Sequence, residues 1–214
     1  MKNSFKFESF SGDAFDNHIN ASIPTLSALD TLASRICHDM AQEDTAVLDL
    51  GCSSGRLLRS LDKRAGVEYV GVDKAMAPSA CTGVEFITAD FTKEDFSFPK
   101  CSVVISMFTL QFIPVHKRES VLTRIYDSLV DGGVFLFAEK VHANDPRMES
   151  LYQAALMQHK TGHFTAQEIV EKQLGIAPIM HLQTEKRLHE ELFEFNSSDT
   201  IWAWGGFRAI AAVK

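Results

Sequence analysis

The chain has 214 residues, 45% hydrophobic and 23% charged, the balance of one globular domain large enough to need no disulfide or metal to hold its core. A formal net charge of -7 argues against direct grip on naked nucleic acid, which calls for basic faces. No apolar run approaches the roughly 20 residues of a membrane span, and no apolar signal-peptide core is visible in residues 1–11. Cys37, Cys52, Cys81 and Cys101 form no C-x-x-C pair, so no metal site is expected, and a reducing, cytoplasmic setting is.

Residues 1–22 read as a lid or docking segment anchored by Phe5, Phe7, Phe10 and Phe15. From Thr25 to Met40, Leu26, Leu29, Leu32, Ala33 and Ile36 recur at helical spacing, with Pro24 as a first-turn residue. Short apolar runs and helical stretches then alternate. Strands are expected at Ala46–Leu50, Tyr69–Val72, Val84–Thr88, Ser102–Met107 and Val134–Ala138, with helices at Gly55–Leu61 and Lys117–Leu129. Asp131-Gly132-Gly133 reads as a turn. The alternation predicts a parallel, doubly wound α/β sheet. Helices follow at Pro146–Lys160, Thr165–Leu174 and Gln183–Leu192, and the tail Thr200–Val213 reads as two antiparallel strands turning near Gly205 and Gly206. The expected organisation is a single domain over 1–214. It has an N-terminal helical or lid segment (1–40), a cofactor-binding core (46–140) and a helical, substrate-covering insertion (141–192).

The run Asp49-Leu50-Gly51-Cys52-Ser53-Ser54-Gly55 joins an apolar strand to a helix, the setting of a nucleotide-binding turn. Glycines there let the backbone turn tightly and approach a ligand. The run resembles the first motif of class I S-adenosylmethionine (SAM) methyltransferases, with Ser53 at the middle glycine. The resemblance implies a Rossmann-like fold, a mostly parallel seven-stranded sheet ending in an antiparallel hairpin, and SAM or S-adenosylhomocysteine as cofactor. Asp49 is placed for the amino group of the cofactor. Asp73, followed by Lys74, ends the second strand 18 residues after Gly55, near the spacing of a ribose-binding carboxylate; its structural alternative is a helix cap. Asp90 follows the third strand and is placed for the adenine amino group, with Phe91 packing on the ring. Cys52 and Ser53 in the turn and Met107 at the end of the fourth strand complete the expected cofactor site.

Phe108-Thr109-Leu110-Gln111-Phe112 with Pro114, Asp131-Gly132-Gly133, Glu139-Lys140, the early Phe15-Asp16 and the helix around Met157, His159 and Lys160 resemble carboxy-S-adenosylmethionine synthases. Those enzymes act on SAM and prephenate in a pathway of tRNA wobble-uridine modification. The resemblance, with the phenylalanine-rich N-terminal segment, implies a homodimer to which those phenylalanines and the helices between Asp145 and Leu192 contribute, and the lack of an apolar span implies no membrane attachment. The resemblance also implies a tyrosine, an asparagine and an arginine around the carboxylate of the product, and the matching positions carry Leu26, Met107 and Gln173. A buried carboxylate needs a cation or several donors, so a pocket for a neutral or apolar group is expected, with Arg187 of the neighbouring helix as a cation that could substitute. The leading expectation is a SAM-dependent methyltransferase acting on a small-molecule or tRNA-related acceptor. The alternatives are a carboxy-SAM synthase and a non-catalytic SAM-binding partner subunit. No catalytic residue stands out. His142, His159 and His163 are candidate bases whose bland reading is surface or capping. Glu139 and Lys140 close the fifth strand, either facing the site's upper edge or as a salt-bridged strand end, and Trp202 and Trp204 read as core packing, with a base-stacking platform as the alternative.

Overall fold

The computed structural model describes residues 12–75 and 80–214; Phe5, Phe7 and Phe10 of the expected anchor segment lie outside them. Eight strands form one sheet: β1 (Thr45–Leu50), β2 (Val67–Asp73), β3 (Glu85–Thr88), β4 (Cys101–Met107), β5 (Leu129–His142), β6 (Gln183–Thr184), β7 (Ser197–Trp204) and β8 (Phe207–Val213). Seven of them run in the order β3-β2-β1-β4-β5-β8-β7, and the two-residue β6 pairs with the end of β5. The first five strands of that path are parallel, and β8 pairs antiparallel with both β5 and β7. This is the expected sheet with its closing hairpin.

The central strands are apolar along their whole length because both faces are covered. All six residues of β1 are buried, as are the first six of β4. Phe135 and Phe137 of β5, Leu48, Leu50 and Ile210 fill one face together with Val121, Leu122 and Ile125 of α4 (Val115–Ser128). The other face takes Ala33 and Cys37 of α2 (Leu26–Met40) and Leu57 and Leu58 of α3 (Arg56–Ser60). The periodic apolar stripe of α2 is therefore its core face, as the spacing predicted.

Several boundaries moved for local reasons. Segment 12–22 is a helix, α1 (Gly12–Ser22), set off from α2 by Thr25 in the left-handed region (φ 56°). β5 absorbs Gly132 and Gly133, because its register against β4 slips between Cys101 and Val103 and the ladder resumes beyond the slip. The last predicted helix shortens to α7 (Glu185–Glu190), since Gln183 and Thr184 pair with β5 and the Thr184 hydroxyl accepts from Arg187 N–H as a cap. α5 (Pro146–Thr161) starts on an Asp145 cap with proline in the first turn, and α6 (Ala166–Ile176) on a Thr165–Glu168 capping box.

Candidate functional site

β1 and β4 are neighbours in the sheet although β2 and β3 lie between them in sequence, so the strand order reverses beside the C-terminal end of β1. Open parallel sheets bind ligands at such a point. A cavity of about 840 Å³ opens there. Asp49, Gly51, Cys52, Ser53, Asp73, Lys74, Asp90, Phe91 and Met107 all line it. Gly55 does not; it is buried at the start of α3, with φ at +72° and the Phe86 ring where a side chain would go.

The turn after β1 is built on left-handed residues: Gly51 at φ +80°, Ser53 at 48° and Gly55. Ser53 takes a conformation that glycine adopts at less cost. A Cβ on Gly51 would sit 2.3 Å from the Thr109 side chain, so only hydrogen fits between the turn and the residue that follows β4. Asp73 braces this turn, accepting Ser53 N–H on Oδ2 at 3.0 Å and Ala75 N–H on Oδ1 at 2.8 Å. Neither bond makes Asp73 a helix cap, its structural alternative, since neither Ser53 nor Ala75 lies in a helix. Asp90 accepts both the N–H and the hydroxyl of Thr92 on Oδ1, at 3.0 and 2.7 Å. Those bonds hold its carboxyl below the ordinary range, led by the Thr92 hydroxyl. Oδ2 takes no bond from the described residues.

Asp49 is the outlier in energy. It is 4% exposed, and no described residue hydrogen-bonds or pairs with its carboxylate. Burial, then the charge of Asp73, push its pKa up to about 7, against the pull of Arg56. Arg56 is already committed to Asp30 of α2 through both terminal nitrogens. A buried acid without a partner costs stability, and a ligand ammonium or sulfonium in the cavity would offset that cost. Cys52 is buried beside Gly71, and burial holds its thiol in the neutral form; it is a packing residue here.

The other half of the cavity holds residues that sequence reasoning underrated. α1 contributes Phe15, Asp16, Ile19, Ser22 and the following Ile23, and the Ser54 hydroxyl donates to Asp16 at 2.5 Å. Three lysines from three elements reach the same space: Lys140 at the end of β5, Lys160 of α5 and Lys172 of α6. Burial lowers all three. Lys160 falls to about 8 and Lys172 to about 7, with neighbouring lysine charge as the second cause in each. Lys172 Nζ lies 2.6 Å from His18 Nε2 and donates to Ser22 Oγ at 2.9 Å. Burial and the Lys172 charge bring His18 down to about 4, so its ring is neutral at physiological pH. The expected neutral or apolar pocket is corrected accordingly: Leu26, Met107 and Gln173 do line the cavity, but so do three cations.

The remaining candidates separate cleanly. Arg187 does not line the cavity; it is 57% exposed and pairs with Glu190 at 3.4 Å, so it is no substitute cation. Of the three histidines only His142 lines the cavity, while His159 packs between His163 and Trp204. Trp202 and Trp204 pack against an apolar cluster with Leu26, Phe108, Leu156 and Phe207. Glu139 and Lys140 part company: Lys140 faces the cavity, whereas Glu139 is fully buried against Arg118 at 3.0 Å. No spacing rule links Arg118 to Glu139, so only the fold reveals the pair.

A family described as a methyltransferase domain matches residues 47–133. The human N-acetylserotonin methyltransferase, solved in complex with SAM, shares the fold at a TM-score of 0.55 and 19% identity, over 88% of this chain and 54% of that one. Fold and site together define a SAM-dependent transferase of the methyltransferase class. Similarity to carboxy-S-adenosyl-L-methionine synthases runs the full length. The Nitratiruptor sp. enzyme is 30% identical over 98% of this chain and 93% of its own, and the Staphylococcus epidermidis enzyme 28% over 98% and 96%. The chain belongs to the carboxy-S-adenosyl-L-methionine synthase family.

Proposed function

We propose that the protein transfers the methyl group of SAM to a small-molecule acceptor held beneath α5 and α6. The observation that carries this reading is the unpartnered, buried Asp49 at the mouth of the Gly51 turn, since it asks for a cationic ligand. Asp49 would hold the amino group, Asp73 the ribose hydroxyls and Asp90 Oδ2 the adenine amino group, with Phe91 and Met107 against the base and the sulfur end. The cofactor supplies an electrophilic methyl on a sulfonium. The protein's task is then to bind, align and exclude water, which accounts for much of the rate in a displacement of this kind. Residues 12–22 would cover the cofactor end, and the 141–192 region the acceptor end.

Family membership favours a second reading, carboxy-SAM synthesis from SAM and prephenate. Against it stand Leu26, Met107 and Gln173, where the family's carboxylate grip has a tyrosine, an asparagine and an arginine. Incubation with SAM and prephenate, followed by mass analysis, separates the two. The expected result is little or no carboxy-SAM. Turnover matching that of the Staphylococcus epidermidis relative would put the synthase reading first.

A homodimer is part of the same proposal. Leu151 of α5 and Val170 and Leu174 of α6 are 60%, 49% and 71% exposed, a costly amount of free apolar surface on adjacent helices. Light scattering should give twice the 23.8 kDa chain mass, and a monomer at micromolar concentration would count against it.

A further inference from the structure

Asp90 reaches the cavity from residues 89–100, a loop without helix or strand that joins β3 to β4. Two short turns hold the loop together. Lys93 N–H donates to the Asp90 carbonyl at 3.1 Å, and Phe96 N–H to the Lys93 carbonyl at 3.3 Å. Arg124 of α4 ties it to the body of the protein. Nη1 donates to the Phe91 carbonyl at 3.2 Å and Nη2 to the Phe96 carbonyl at 2.6 Å. The guanidinium carbon also lies 4.5 Å from the centre of the Phe98 ring, which meets Phe96 edge-on. No other described residue outside the loop hydrogen-bonds residues 91–98. Phe91, Phe96 and Phe98 pack against the core as well, but apolar packing has no preferred direction.

The Phe91 carbonyl and the Thr92 N–H belong to one planar peptide group. Arg124 holds the carbonyl, and the N–H donates to Asp90 Oδ1 at 3.0 Å. The guanidinium therefore fixes, through a single rigid unit, a donor that orients the Asp90 carboxylate and leaves Oδ2 for a ligand. Arg124 itself does not line the cavity, whereas Asp90, Phe91 and Thr92 do. From this chain of contacts we infer that Arg124 is a positioning residue that sets Asp90, and Phe91 beside it, for the adenine base of the cofactor. The inference rests on the reading of Asp90 as the acceptor of the adenine amino group. A carboxylate held in place accepts from that amino group and repels a carbonyl oxygen in the same position. A carboxylate on a loosened loop can withdraw, so the gain with adenine and the penalty against a carbonyl-bearing base shrink together.

Calorimetric titration of the full chain with S-adenosylhomocysteine and with S-inosylhomocysteine, whose base carries a carbonyl in place of the amino group, tests the inference. The parent should prefer S-adenosylhomocysteine by more than about tenfold. Arg124→Met should lose about tenfold in affinity for S-adenosylhomocysteine and little for the inosyl compound, bringing the two close to parity. Arg124→Lys keeps the charge but lacks the planar fork that spans both carbonyls, and should fall between. A general loss of folded protein would weaken both ligands by the same factor, so the ratio of affinities reports positioning rather than stability. If Arg124→Met binds S-adenosylhomocysteine as the parent does, or loses affinity for both compounds equally, the inference falls while the reading of Asp90 stands. A parent that binds both compounds alike, or neither, would overturn the reading of Asp90 and the inference with it.

Discussion

Arg118→Met should destabilise the fold by about 3–5 kcal/mol, the cost of breaking a buried ion pair from one side. The Arg118 side chain is 2% exposed and that of Glu139 is wholly buried. Nη1 donates to Glu139 Oε1 and to the Leu110 carbonyl, both at 3.0 Å, while Nε and Nη2 donate to Glu191 Oε2. One cation thus ties α4, β5 and the end of α7 together. Glu139 Oε2 is already sealed without a partner, so the variant would leave both oxygens of that carboxylate unbonded. Burial pushes Glu139 up to about 7 even with Arg118 opposing it. In the folded state Glu139 therefore keeps a proton that the unfolded chain loses near its ordinary value of 4.5. Its contribution to stability is present at acid pH and lost as pH rises through about 7. Without Arg118 that loss deepens. Urea unfolding of parent and variant at about pH 5 and about pH 8 checks both parts. A variant within about 1 kcal/mol of the parent at the higher pH would show that the network is not what holds these elements.

Asp73→Ala should lower affinity for S-adenosylhomocysteine by a hundredfold or more. In the proposed pose the carboxylate accepts both ribose hydroxyls, and hydrogen bonds to a charged group contribute about 1.5–3 kcal/mol each. The same oxygens brace the turn through Ser53 and Ala75, so some of the loss would come through a loosened turn. Asp73→Asn separates the contributions, because its amide oxygen can still accept from one backbone N–H while the charge is gone. Calorimetry should find both variants weak and the asparagine variant folded as stably as the parent. Parental affinity in Asp73→Asn would reduce the residue to a structural brace.

The acid-lined half of the cavity was legible in the sequence because its determinants are local. An apolar run leads into Asp49, Asp49 and the two glycines sit within seven residues, Asp73 closes the second strand and Asp90 follows the third. A strand's carboxyl end is marked by where its apolar run stops, so the acids could be placed without knowing the tertiary structure. The lysine-lined half was not legible in this way. Lys160 and Lys172 lie on helices with modest apolar stripes, where a lysine reads as solvated, and only the packing of α5 and α6 over the sheet turns them inward. Arg118 reads as a surface position of α4 for the same reason. β5 ran longer than its apolar core predicted because Gly132-Gly133 carries a turn signature that pairing to β4 overrides.

The strand order also bears on how the two halves come into being during synthesis. β1 to β4 draw on residues 45–107 alone, so the turn and its three acids can assemble from one continuous stretch of nascent chain. β5, which carries Lys140, has β8 as its second long neighbour, and β8 begins only at Phe207. Until residues 207–213 leave the ribosome, β5 keeps an open edge, the kind of exposed strand that invites wrong pairing and slows folding. A chain stalled before residue 207 would carry the acid-lined end of the cavity but an unfinished lysine end, and its free β5 edge would be the point at which chaperones or aggregation act on it first.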